Sequence, residues 1–136
     1  MSTCSETTER EYVVFNLDRR LTVAERVRVA GRSAARRKGL LGIDSLAAGA
    51  GLWIAPCEAI HTFGMKMPID AIFIDRKFRV RKMRPCLAPY RISICISADS
   101  VLELEAGTVA RTRTVVGDRL RFQQIAGTGL SACLGR

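Results

Sequence analysis

The sequence predicts a mainly β protein, a small antiparallel β-barrel or sandwich with one or two short helices. Seven or eight short apolar or alternating stretches are separated by turn signals rich in Gly, Pro and Asp. No long helical periodicity alternates with them, so the rhythm of a βαβ fold is missing. At 136 residues the chain can close one hydrophobic core but not two. The expected organisation is a disordered polar tail over 1–10, one β-rich domain over 11–126 and a loose tail over 127–136.

The first strand is "EYVVFNL", with Val13, Phe15 and Leu17 on one side and Tyr12, Val14 and Asn16 on the other, followed by the turn "DRR". "LTVAERVRVA" then sets Leu21, Val23, Val27 and Val29 against Thr22, Arg26 and Arg28, which completes a hairpin. Ser33 is a candidate N-cap for a short helix over "AARRKGLL", ended near Gly39 or Gly42. Beyond "AAGAG", the run "LWI" stops at Pro56. Pro68 holds Met67 extended ahead of "IDAIFID", which is apolar on both faces except at Asp70 and so reads as a central strand.

"RKFRVRKMRP" reads as a strand with Phe78 and Val80 on one face and Lys77, Arg79 and Arg81 on a basic outer face. In "RISICIS", Ile92, Ile94 and Ile96 alternate with small polar residues. "SVLELEAG" alternates likewise, with Leu102 and Leu104 inward and Glu103 and Glu105 outward. "VGDRLRFQ" closes the series with a Gly-Asp turn and inward Leu120 and Phe122.

Composition sets outer bounds on function. Hydrophobic residues at 48% and charged residues at 26% are an ordinary globular balance. The longest apolar runs, such as Ala71 to Ile74, fall far short of the roughly 20 residues of a membrane span. The N-terminus lacks the basic and apolar regions of a secretory signal, so the expected location is cytoplasmic. Five cysteines at irregular spacing, with no C-x-x-C pair, indicate neither a disulfide framework nor a zinc ribbon; free thiols are expected. The net charge of +9 favours anionic partners such as nucleic acid, acidic polysaccharide or a membrane surface. No block of five like charges concentrates it, so a basic charge spread over solvated faces is the plainer account.

"IHTFGMKMPIDAIFID" holds the single histidine, His61, and is the natural place to look for a site. One reading makes Cys57 a nucleophile, His61 its base and Asp70 the orienting acid of a hydrolase or acyl-transfer enzyme. In an extended segment the first two sit about 13 Å apart, at about 3.3 Å per residue, too far for proton transfer without a tight turn at "PCEA". Copper(I) would suit Cys57, His61, Met65 and Met67, but one histidine is a thin supply of ligands; no metal or cofactor is expected. The plainer reading buries His61 with a ring nitrogen bonded to backbone or to Asp70. For Asp70, backbone N–H groups near Pro68 are as natural a set of partners as a ligand. Trp53, His61, Thr62, Phe63, Met65, Lys66 and Asp70 are the candidate lining of a ligand groove. Lys77, Arg79 and Arg81, with Arg84 and Arg91 beyond, are the candidate nucleic-acid patch, although few aromatics interleave with them.

Three segments, "RKGLLGIDSL", "GLWIAPCEAIHTFGMKMPIDAIFID" and "VLELEAGTVARTRTVVGDRLRF", resemble in order a widespread prokaryotic family, domain of unknown function 192, from about Leu17 to Phe122. Its central motif of an aromatic, a methionine, a basic residue and an aspartate is met by Phe63, Met65, Lys66 and Asp70, after the variant Pro56, Cys57, Ile60, His61 and Thr62. The resemblance implies a compact β-rich fold with a partly closed barrel and no established activity. Many relatives carry an export signal that this sequence lacks. The function expected from these readings is a non-enzymatic module that binds a small ligand, a glycan or a protein partner through a groove near residues 53–70. Hydrolase and nucleic-acid-binding readings stand as alternatives.

Overall fold

The computed structural model describes residues 10–30 and 46–125. The helix expected after Ser33 lies outside them, as do the two expected tails apart from Arg10. The described chain is mainly β with one short helix, as the sequence predicts. Its elements are β1 (Glu11–Asn16), β2 (Leu21–Ala30), β3 (Ala50–Ile54), β4 (Ala59–His61), β5 (Ile69–Ile74), β6 (Val80–Leu87), β7 (Ile92–Ile94), β8 (Ser100–Glu105), α1 (Thr108–Thr112) and β9 (Leu120–Gln124).

Seven strands form one curled sheet in the order β6-β5-β8-β3-β2-β1-β9, while β4 and β7 form a separate antiparallel ribbon. The expected hairpin of β1 and β2 is present. One pairing departs from the antiparallel expectation: β2 and β3 run parallel, from Arg26↔Ala50 to Ala30↔Ile54. At one end the two sheet edges meet. Val80 N–H donates to Asp118 O at 2.9 Å, Gly117 N–H to Val80 O at 2.8 Å and Leu120 N–H to Phe78 O at 2.8 Å. The sheet is therefore a half-barrel.

Its concave face buries Val14, Val23, Val27, Ile72, Ile74, Val80, Leu102, Leu104 and Leu120, drawn from β1, β2, β5, β6, β8 and β9. Its convex face carries a second cluster, with Leu52, Ile54, Ile69, Ala71, Phe73, Leu87 and Val101, onto which Ile60 of the ribbon packs. Because both faces are covered, β5 is buried at every residue, and its near-continuous apolar sequence follows. Gly51 allows β3 its close approach to β8, since a Cβ there would stand 2.7 Å from Leu104 Cδ2. At the closed end Trp53 packs against Phe122 at 4.2 Å, Tyr12 at 5.3 Å and Phe78 at 6.2 Å between ring centroids.

Several local expectations are overturned. The segment 75–79 is a turn, not a strand. Asp75 Oδ1 accepts the N–H groups of Lys77 (2.8 Å) and Arg79 (3.0 Å), and Phe78 adopts φ 63°. Leu17 is exposed at the β1–β2 turn, where buried Asn16 takes over, its Oδ1 accepting Asp18 N–H and Arg19 N–H and its Nδ2 donating to Asp118 and Thr114. Glu103 is buried, not outward, because β8 lies between β3 and β5 with both its faces covered. In "RISICIS", where alternation assigned no inward face, the isoleucines face solvent and Ser93 faces inward.

The helix α1 was not expected from "TVART", since threonine and valine are weak helix formers. A tertiary contact fixes it. Asp70, fully buried on β5, accepts Gly107 N–H at 3.1 Å and Val109 N–H at 2.7 Å through Oδ2, and Cys86 N–H at 2.8 Å through Oδ1. Gly107 enters the helix at φ 100°, a conformation that favours glycine. Cys86, at φ 50°, lies in a bulge of β6, where the register passes from Ile69↔Leu87 to Ala71↔Arg84.

Asp70→Asn puts an amide donor among these three N–H donors and leaves at least one buried donor unsatisfied. The expected loss is about 3 kcal/mol, read as a lower urea midpoint at unchanged slope. A midpoint equal to that of the parent would mean that the carboxylate does not hold these segments.

Candidate functional site

The ribbon places the central motif. β4 is extended, as the argument from Cys57–His61 spacing assumed, but it lies outside the barrel wall. Its register with β7 is Ala59↔Ile94, Ile60↔Ser93 and His61↔Ile92. Ile60 and Ser93 point down onto the convex core, while Ala59, His61, Ile92 and Ile94 point outward.

His61 is therefore exposed, not buried as expected. Its Nδ1 accepts the N–H of Phe63 at 3.2 Å, and its ring stacks on that of Phe63 at 5.4 Å. Thr62 is a fastener: its buried Oγ1 donates to Ala88 O at 2.7 Å and accepts Arg91 N–H at 2.8 Å. Met65 is buried in the convex core, and Lys66 is exposed. Trp53 and Asp70 belong to the opposite, concave side of the sheet. The seven candidate groove residues thus do not converge on one surface.

Nor does Asp70 orient His61, because both of its oxygens accept main-chain N–H groups elsewhere. The Cys57 thiol donates to Ala59 O at 3.1 Å. No group of three or more His, Cys, Asp or Glu side chains arranged to hold a metal occurs among the described residues.

What sequence reading missed is a cleft of about 1070 Å³ at the other end of the ribbon, lined by residues 56–59, 75–77 and 96–99 with Arg79 and Arg81. Three separate segments meet there through main-chain bonds. Cys57 N–H donates to Asp99 O at 2.9 Å, Cys95 N–H to Glu58 O at 2.8 Å and Asp99 N–H to Ile74 O at 2.8 Å. Arg76, Lys77, Arg79 and Arg81 bring four cations to it, against the carboxylates of Glu58, Asp75 and Asp99. Asp75 is occupied by its turn and lies 3.9 Å from Arg81, and Asp99 lies 3.6 Å from Arg76. Arg79 donates to Gly117 O at 3.4 Å, and Arg81 to Ser97 Oγ at 3.4 Å. The expected basic residues Lys77, Arg79 and Arg81 do come together, around a concavity. The signal for the turn that gathers them was Asp75 two residues ahead of Lys77.

Two carboxyl groups elsewhere are displaced from their ordinary behaviour. Burial pushes Glu103 from 4.5 up to about 7. Its Oε1 has no hydrogen-bond partner. Burial alone would also raise the Asp118 carboxyl, but hydrogen bonds from Arg19, Asn16 and Val115 N–H outweigh it and the net direction is down.

The fold and the cleft define a class: a small half-barrel with a lid-like ribbon and a basic concavity beside it. The chain belongs to the DUF192 family, "Uncharacterized ACR", whose family model matches residues 14–122. Two solved structures share the fold. One is a "putative transcription regulator" from Sinorhizobium meliloti 1021, at TM-score 0.75 and 24% identity over 87% of this chain and 98% of that one. The other is a protein of unknown function from Novosphingobium aromaticivorans DSM 12444, at TM-score 0.68 and 22% identity over 82% of this chain and 83% of that one. No curated protein matches the sequence.

Glu103 makes a pH-dependent contribution of defined sign. Its folded pKa lies above its unfolded one, so the stabilisation is whole below about 4.5 and is lost as pH rises through about 7. The expected loss is roughly 3 kcal/mol across that window, at about 1.4 kcal/mol per pH unit. Asp118 acts in the opposite sense at lower pH: its contribution is present above 3.8 and is lost as pH falls through its depressed value. Urea midpoints measured from pH 4.5 to 7.5 should fall for the parent and stay flatter for Glu103→Gln. Parallel profiles would contradict the assignment.

Proposed function

We propose that this chain is a non-enzymatic binding module whose cleft takes a small ligand carrying more than one negative charge. The observation that carries this reading is the cleft itself, a concavity of about 1070 Å³ lined by Arg76, Lys77, Arg79 and Arg81. Clefts of this size hold small molecules, and guanidinium groups suit the paired oxygens of phosphate and carboxylate. With Asp75 and Asp99 drawn to their own partners, Lys77 and Arg79 are the cations best placed to meet a ligand.

The lining also narrows the ligand. Among the described residues no aromatic side chain contributes to it, so they offer a nucleobase no stacking platform. A saturated anion such as a phosphorylated or carboxylated sugar fits better than a nucleic acid strand, and an uncharged glycan leaves the cations unmatched. The hydrolase reading has weaker support. The Cys57 thiol is turned to Ala59 O, His61 Nδ1 to Phe63 N–H, and Asp70 to three N–H groups on the far side of the sheet.

Calorimetric titration with pyrophosphate and with citrate at low salt tests this proposal. Saturable binding is expected, weakened at least about tenfold in Lys77→Ala/Arg79→Ala and unchanged in Cys57→Ala. A double variant that binds as tightly as the parent would exclude the cleft. Turnover of an ester or amide substrate lost in Cys57→Ala would favour the hydrolase instead.

A further inference from the structure

The outer face of the ribbon presents an apolar surface that the fold does not use. Ile92 is 57% exposed and Ile94 51%, with Phe63 at 45% and Tyr90 at 67%. These are one patch and not scattered side chains. Ile92 and Ile94 share the outer face of β7, His61 pairs with Ile92, and His61, Phe63 and Tyr90 follow one another in ring contacts at 5.4 and 6.2 Å. A contiguous exposed apolar patch on a folded domain marks a contact surface. The inner face of the same ribbon is already committed through Ile60, so the outer isoleucines contribute nothing to the core.

We propose that this face seats on the surface of an anionic lipid bilayer. Two observations choose that occupant. The patch stands outward on a two-stranded ribbon and is not a groove, so it offers no walls to a peptide; a deformable interface can take up separate protruding side chains. Its surroundings are basic. Exposed Arg91 lies between Tyr90 and Ile92, Lys66 follows Phe63 by three residues, and Lys82 and Arg84 reach β7 from beneath, at Ile94 O (2.8 Å) and Ser93 Oγ (3.5 Å). Glu58, the exposed carboxylate nearest β4, stands at the Ala59↔Ile94 end of the ribbon, where it lines the cleft among Arg76, Lys77, Arg79 and Arg81. Apolar and aromatic side chains beside lysine and arginine, on a chain of net charge +9, complement anionic headgroups. The same charge opposes a second copy of this chain on the same face. Seated there, Ile92, Ile94, Phe63 and Tyr90 would enter the headgroup boundary to a depth of about 5–10 Å.

The test is flotation of the purified chain with vesicles of phosphatidylcholine alone and of phosphatidylcholine mixed with phosphatidylglycerol. Binding to the mixed vesicles is expected to exceed binding to neutral ones at least about tenfold and to fall with added salt. Ile92→Ser/Ile94→Ser should lose about tenfold of it, whereas the charge control Arg111→Ala/Arg113→Ala should lose far less. A second measurement needs no variant: lipid carrying a nitroxide should broaden the methyl resonances of Ile92 and Ile94 ahead of those of Ile72 and Ile74. Absence of binding overturns the proposal. So does binding that the isoleucine variant retains in full, which would be charge alone. Concentration-dependent dimerisation abolished by the isoleucine variant would assign the face to a second copy instead.

Discussion

The carboxylate of Asp70 is the constraint on which the architecture turns. It sits fully buried on β5, the strand between β6 and β8, and accepts N–H groups from the bulge of β6 and from the entry to α1. A buried carboxylate without partners would be costly, and main-chain N–H groups left unmade at a bulge and a helix start would be costly too. Joined, they cancel. The joint fixes the irregular end of β6, holds a short helix of weak intrinsic propensity, and so positions the end of β8 that leads into that helix.

From that frame the two sides of the sheet take different roles. The concave side is closed by apolar residues from six strands and, where the edges meet, by main-chain bonds between residues 78–80 and 117–120. The polar set of Asn16, Thr114 and Asp118 pins the β1–β2 turn to the same corner. The convex side is covered by the ribbon, whose two ends differ in chemistry: one ends in a basic cleft, the other in stacked aromatic rings. A ligand in the cleft and a surface on the ribbon's outer face would thus touch different residues of one small element.

The stretch Ile69 to Ile74, apolar on both faces except at Asp70, gave away the central strand, because a strand buried on both faces does not alternate. Alternation was less informative where it existed. It states which residues share a face but not which face is inside, so the isoleucine row of β7 was legible and its outward direction was not. What turns it outward is local: Ser93 is held down toward Arg84 while Thr62 fastens the ribbon's end to Ala88 and Arg91. In "LELE" the same rule suggested a solvent face for Glu103 that the neighbouring strands cover. Asp70 was singled out, and N–H groups were weighed as its partners. Those partners lie 16 to 39 residues along the chain, beyond the reach of a local reading. The cleft is assembled from three separated segments for the same reason, so its basic residues were visible but its concavity was not.

The most direct measurement is native-state hydrogen exchange at Cys86, Gly107 and Val109. If Asp70 holds the irregular segments as described, all three amides exchange at the rate of the β5 core amides of Ile72 and Phe73, through global unfolding. Exchange of Gly107 and Val109 at the rate of an open turn, with the core still protected, would show that the carboxylate does not bind them and would remove the basis of the account.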